Sequence, residues 1–154
     1  MAISIENANK VRQKCNADTL DKSAFRALQA FFQYWATEKG NADLQYIPFS
    51  EADCDDADGT GLADAACTLH FVYIKKAASA TDNYFKIFDN ATVDTTTTDQ
   101  RLVLPLFVSE ESQVWQSNKG LPLAVGLTVT QHTTSEGTSD GSDGGGGFVI
   151  IAAA

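Results

Sequence analysis

The densest group of side chains capable of chemistry is an acidic stretch, EADCDDADGTGLAD, at residues 51–64. Loops rich in Asp and Gly supply the oxygen ligands that a hard cation such as Ca²⁺ requires. The EF-hand spacing fails here, since the glycine position counted from Asp53 is Asp58. We therefore expect a solvated acidic loop, with a structural Ca²⁺ site as the alternative and no other cofactor. The carboxylates of that alternative metal site are those of Asp53, Asp55, Asp56 and Asp58.

The thiols belong to Cys15, Cys54 and Cys67, an odd number. In a chain without a secretory signal this count predicts free cysteines, and a Cys54–Cys67 bridge in an extracellular particle is the alternative. Cys67 and His70 have the spacing C-x-x-H, but a tetrahedral zinc site needs two more ligands. Residues three apart on a strand point to opposite faces of the sheet. We therefore predict a core thiol at Cys67 and an exposed imidazole at His70.

Other catalytic patterns are missing from the sequence. A Ser-His-Asp triad would have to use one of the only two histidines, His70 and His132, and the sequence contains no Gly-x-Ser-x-Gly elbow. The glycine run at 144–147 lacks the lysine and the following helix of a phosphate-binding loop. We predict that the protein is not an enzyme.

Charge is distributed unevenly along the 154 residues. Residues 1–40 hold six basic and four acidic side chains, whereas residues 41–154 hold five basic and sixteen acidic ones. A pI of about 4.5 argues against nucleic-acid binding, which needs a basic face. No apolar run is long enough to cross a membrane, and the first residues lack the pattern of a secretory signal. We therefore expect the protein to be synthesised in a cytoplasm and to remain there at first.

Residues 1–40 have the pattern of two helices. Ser4 is placed to cap a first short helix, and Asp21 is placed to cap a second one with the sequence KSAFRALQAFFQYWATEK. The aromatic stripe of the second helix is wide, because Phe31 and Tyr34 lie beside its central seam. Such a stripe either packs into the following domain, which we favour, or faces a partner.

The hydrophobic period changes after Gly40. Alternating runs rich in β-branched and aromatic residues are separated by clusters of Asp, Thr, Ser and Gly, which predicts six or seven strands. The principal runs are TLHFVYIKK, NYFKIFD, QRLVLPLFV, LPLAVGLTVTQHT and FVIIA. We predict a mainly β chain: an antiparallel β-sandwich or jelly-roll-like domain at 41–154, preceded by two N-terminal helices at 1–40.

Residues 83–151 resemble a pattern common in small virion proteins of tailed bacteriophages. The matching features are a strand, NYFKIF, a Thr-rich loop, a Pro-containing strand, RLVLPLFV, and then GLPLAVGL, a polar Gly-rich loop and a final Val- and Ile-rich strand. The resemblance implies a β-sandwich carried on a virion, either as a capsid decoration (cement) protein or as a neck, tail or fibre component. It also implies assembly in the host cytoplasm and release by lysis, which fits a chain without a signal.

Our hypothesis is a capsid decoration protein that binds the major capsid protein or other virion proteins, with neither nucleic acid nor membrane as a partner. A homo-oligomer, by analogy a trimer, would bury leftover apolar surface. The alternatives are a neck, tail or fibre adaptor and a host-glycan-binding module, in which Trp115 or Tyr84 would be exposed. We expect the 1–40 segment to dock or oligomerise. Its candidate contact residues are Lys10, Arg12, Lys14, Phe31, Tyr34 and Trp35.

Overall fold

The computed structural model describes residues 22–34, 44–50, 61–76, 82–92, 99–107, 110–132, 135 and 145–154. These residues form one helix and seven strands. They are α1 (Lys22–Tyr34), β1 (Leu44–Phe49), β2 (Cys67–Lys76), β3 (Asn83–Phe88), β4 (Gln100–Leu106), β5 (Ser112–Leu123), β6 (Thr128–His132) and β7 (Gly145–Ala153).

The strands form two antiparallel sheets, which confirms the mainly β prediction. One sheet has four strands in the order β1-β7-β2-β5, and the other has three in the order β4-β3-β6. The last strand, β7, lies between β1 and β2, so the end of the chain is paired on both sides. Of the two predicted helices the structure describes the second, α1, and the helix predicted after Ser4 lies outside the described residues.

The larger of two hydrophobic cores lies between the sheets and gives the molecule a sandwich-like arrangement. Strand alternation produces it, because every second side chain of a strand points to the same face. Phe85 and Ile87 of β3 face this core together with Leu104 and Leu102, their register partners on β4. Other strand residues in the intersheet core are Ile47, Phe49, Cys67, Leu69, Val72, Ile74, Leu106, Leu123, Val129, Val149 and Ile151.

The helix α1 covers the outer face of the four-stranded sheet. Its apolar side chains, including Phe31 and Phe32, form a second core with residues of β1, β2 and β7. Phe31 lies 5.9 Å from Phe71 between ring centroids, and Phe71 in turn stacks on Phe148 at 5.8 Å. This confirms the expectation that the aromatic stripe packs into the β domain. The helix, although it falls within 1–40, therefore shares a core with strands of 41–154.

A bulge at His70 determines which residues of β2 face each of the two cores. The register shifts between Leu69 and Phe71 against both neighbouring strands. Leu69 belongs to the intersheet core, whereas Phe71, two residues further on, belongs to the core under α1. An inserted residue of this kind reverses the alternation of a strand. The bulge thus brings Phe71 and then Tyr73 under the helix.

Candidate functional site

Of the six predicted contact residues, the structure describes the side chain of one, Phe31. Phe31 is fully buried in the core under α1, so its side chain offers no surface to a partner. Tyr34 ends α1, and its side chain is not among those described. Four further predicted contact residues lie outside the described residues: Lys10, Arg12, Lys14 and Trp35. Phe31, named as a docking residue, is therefore used for packing.

The predicted metal site also lies outside the described residues. This applies to all four carboxylates: Asp53, Asp55, Asp56 and Asp58. Within the described ranges, no group of three or more His, Cys, Asp or Glu side chains is arranged to hold a metal ion. Cys67, in contrast, is described, and it is a free thiol buried between the sheets, as predicted for a core cysteine.

The imidazole of His70 is buried, so the prediction of an exposed side chain was wrong. The sequence places Cys67 and His70 on opposite faces, but the outer face of this sheet is covered by α1. The His70 ring lies 6.0 Å from that of Phe31, and Nδ1 lies 3.1 Å from the carbonyl oxygen of Ser117. Gly120, at φ +79°, leaves room for the ring, because a methyl group at that position would lie only 2.7 Å from His70 Cε1. His70 therefore fastens an irregular segment of β5 to the bulge of β2.

His132 takes part in the arrangement that most resembles catalytic machinery. Its Nε2 lies 2.6 Å from Oγ1 of Thr130, on the face of the three-stranded sheet that points away from the intersheet core. Lys86 is paired in register with Thr130 on that face. A hydroxyl bonded to an imidazole is the arrangement of a nucleophile and its general base. All three side chains are buried, so a substrate could not reach the Thr130 hydroxyl in this conformation.

Asp89 forms a second buried polar centre at the end of β3. Its carboxylate accepts hydrogen bonds from the backbone N–H of Val125 and from Nη2 of Arg101, at 2.8 and 3.2 Å. Burial alone would raise the pKa of this carboxyl, but the hydrogen bonds from Val125, Ala124, Arg101 and Gly126 outweigh it and hold the pKa below its usual value. The group fixes a turn and is not poised to exchange a proton near neutral pH.

The residues best suited to contact a partner are an aromatic pair, the exposed Phe107 and the half-buried Tyr84. Their rings are perpendicular, with centroids 6.5 Å apart. Phe107 is 44% exposed and, with Val125, is one of two large hydrophobic residues exposed in the described part of the chain. Pro105 is paired in register with Tyr84 and continues the apolar surface along β4. We call Tyr84, Pro105 and Phe107 the aromatic surface.

The backbone around Phe107 is held by reciprocal hydrogen bonds to Glu110. The N–H of Phe107 donates to Oε2 of Glu110 at 3.2 Å, and the N–H of Glu110 donates to the carbonyl oxygen of Phe107 at 2.9 Å. The exposed ring therefore extends from a backbone that is held by hydrogen bonds on both its N–H and its carbonyl oxygen. A restrained backbone at a contact residue lowers the entropy that is lost when a partner binds.

Sequence reasoning named Tyr84 but missed Phe107, Pro105 and the Thr130–His132 pair, although strand alternation carries a signal for each of them. In RLVLPLF the period of two places Val103, Pro105 and Phe107 on one face, and in TVTQH it places Thr130 beside His132. Trp115, predicted to be exposed in a glycan site, packs partly buried against the intersheet core.

The chain matches no protein-family model, no curated protein and no solved structure. Among the described residues, no helix is both long and apolar enough to cross a membrane.

Proposed function

We propose that the protein is a structural component of a tailed-bacteriophage virion, most directly a capsid decoration protein that binds and stabilises the capsid surface. Its body would be the sandwich-like β domain with jelly-roll-like connections, and its partner would be the major capsid protein or another virion protein. The resemblance over residues 83–151 supports this, because that range contains β3 to β6, most of β7 and all three residues of the aromatic surface.

The observation that carries the proposal is the aromatic surface, with its exposed Phe107 ring, on a body whose described histidines and cysteine are buried. Aromatic residues dominate the energetics of protein interfaces, where they fill pockets of the partner. The imidazoles of His70 and His132 and the thiol of Cys67 are buried, which suits a binding role better than a catalytic one. We therefore assign no catalysis to the protein and place the partner contact at Phe107 and Tyr84.

Counting copies in purified particles of the phage that encodes the chain tests the role. A decoration protein is expected in numbers comparable with the major capsid protein, most simply as trimers on local three-fold axes. A few copies per particle would instead indicate a neck or tail component, and absence from the particle would refute the proposal.

Two exposed residues offer a matched test of the contact surface. Phe107→Ser should leave the fold intact and lower retention on particles by about tenfold or more, the effect of removing an interface hot spot. Val125→Ser is the control, since Val125 is 53% exposed but lies at the turn after β5, away from the aromatic surface. If particles retain the Phe107→Ser and Val125→Ser variants equally well, Phe107 is not part of the contact.

A tail or fibre adaptor that binds a host glycan is the second candidate. The Glu110 carboxylate, bonded to the backbone N–H of Phe107, favours it, because aromatic faces stack on the apolar side of sugars while carboxylates accept hydrogen bonds from their hydroxyls. Binding of an immobilised host-surface glycan that is lost in Tyr84→Ala, with few copies per particle, would favour this role over capsid decoration.

A further inference from the structure

We propose that three side-chain amides at one end of the intersheet core, those of Asn83, Gln113 and Gln131, bind a small neutral ligand through its hydroxyl groups. The ligand is either trapped water or a small polyol, which present the same hydroxyl chemistry. We call this group the amide end.

The three amides face the space between the two sheets. Asn83 is paired in register with Leu106, and Gln131 is paired with Phe85. Leu106 and Phe85 both belong to the intersheet core, and residues directly opposite each other on paired strands share a face. From the other sheet, Gln113 is paired with Ile74, which is also a core residue. Polar groups from both sheets therefore converge on an apolar interior.

Five polar atoms of these amides are buried and have no hydrogen-bond partner. Asn83 is 0% exposed and Gln131 is 2% exposed, and neither the oxygen nor the nitrogen of either amide has a partner. Oε1 of Gln113 is also buried without a partner. Of the six buried side-chain polar atoms without a partner in the described part of the chain, five lie at this end. Native proteins leave few such atoms unpaired, and a cluster of them indicates a bound polar molecule.

The strand opposite contributes no side chain at this end. β7 begins Gly145, Gly146, Gly147. A methyl group at Gly145 would lie 3.3 Å from Oε1 of Gln131 and 3.0 Å from Cζ of Phe85. The Gln131 side chain thus reaches from β6 across to β7, where it meets bare backbone instead of a polar partner.

The types of atom define the ligand. Each amide oxygen accepts hydrogen bonds and each amide nitrogen donates two. A cation would pair only with the carbonyl oxygens and an anion only with the NH₂ groups, so either ion would leave the other kind of atom unpaired. A hydroxyl group donates and accepts at once, so water or a polyol satisfies both kinds of atom.

Crystal structures at high resolution, with and without glycerol, test the proposal directly. We expect an oxygen within hydrogen-bond distance of the Asn83 and Gln131 amides. Water in both crystals identifies trapped water, and glycerol in place of water identifies a polyol site. If glycerol replaces the water, we also expect a glycerol titration in solution, followed by the side-chain NH₂ resonances, to reach saturation. Binding at crystal concentration only would overturn the polyol assignment. Amides that pair with each other or with protein groups, with no bound oxygen, would overturn the proposal.

Substitution gives an independent test, because the Tm should change in one direction if the amides hold a ligand and in the other if they do not. If the amides hold a ligand, the double variant Asn83→Leu, Gln131→Met removes those hydrogen bonds and lowers the Tm. If they are unsatisfied, replacing them by apolar groups of similar size leaves the Tm unchanged or raises it, and the proposal fails. Gln116→Met is the matched control with little expected change, because the Nε2 of Gln116 donates only an exposed 3.4 Å bond to Asn118.

Discussion

The Asp89 carboxylate, at the end of β3, accepts a 2.8 Å hydrogen bond from the backbone N–H of Val125. Val125 lies between β5, an edge strand of the four-stranded sheet, and β6, an edge strand of the three-stranded sheet. The chain therefore crosses between the sheets at this turn, and Asp89 holds the crossing in place. Arg101, on the neighbouring strand β4, binds the second carboxylate oxygen, and the distance from its Nη2 to that oxygen is 3.2 Å.

We expect Asp89→Ala to lower the free energy of unfolding by about 2–3 kcal/mol, since hydrogen bonds to a buried charged group are lost and backbone N–H groups lose their acceptor. Chemical denaturation followed by circular dichroism measures this. Arg101→Ala is the control: the Arg101 side chain is 42% exposed, and a solvent-exposed ion pair contributes only about 0–1 kcal/mol. Equal losses in the two variants would mean that the ion pair, and not the turn, accounts for the stabilisation.

The same carboxylate predicts a pH dependence. Its pKa is lower in the folded protein than the usual value of 3.8. A depressed folded pKa adds stability above the unfolded pKa, and that stability is lost as the pH falls through the folded pKa. The stability difference between the wild type and Asp89→Asn should therefore be constant near neutral pH and shrink below about pH 4. A difference that grows on acidification would contradict the assigned direction of the shift.

Cys67 should be an unreactive thiol. Burial, with a smaller effect from the charge of Asp89, raises its pKa from 9.0 to about 11. In a variant with Cys15→Ser and Cys54→Ser, we expect a thiol reagent at pH 8 to label Cys67 slowly in the folded state and rapidly in denaturant. Rapid labelling of the folded variant would mean that the thiol is accessible.

The raised pKa of Cys67 has a second consequence at alkaline pH. A raised folded pKa contributes stability that is complete below the unfolded pKa and is lost as the pH rises through the folded value. The free energy of unfolding should therefore decline between pH 9.0 and about 11, and Cys67→Ala should remove that part of the decline. Parallel curves for the two proteins over this range would contradict the shift.

The sequence predicted the strands well because their alternation is a local property. NYFKIF forms β3 with Phe85 and Ile87 facing the core, and the apolar stripe of the second helix packs as expected. What the sequence could not predict depends on distant contacts. Asp89 and Val125 are 36 residues apart, and no local pattern pairs them.

The error at His70 has the same physical origin. Alternation correctly separates His70 from Cys67, but exposure depends on which sheet face α1 covers. The local sequence of β2 does not show which face is covered, and the bulge that directs Phe71 to the helix leaves no clear trace in the sequence either. The amide end escaped prediction for a related reason, because Asn83, Gln113 and Gln131 converge from different strands of different sheets.

Phe31 provides the sharpest test of whether α1 belongs to the core or to a docking surface. Because its ring is wholly buried against Phe71, we expect Phe31→Ala to cost about 3–5 kcal/mol of unfolding free energy, the range for truncating a buried phenylalanine. Gln29→Ala, at an exposed position of the same helix, should change it by less than about 0.5 kcal/mol. If Phe31→Ala kept wild-type stability but lost binding to particles, α1 would be a docking element rather than a layer of the fold. Loss of stability in Phe31→Ala alone would instead leave the aromatic surface at Tyr84 and Phe107 as the contact to examine.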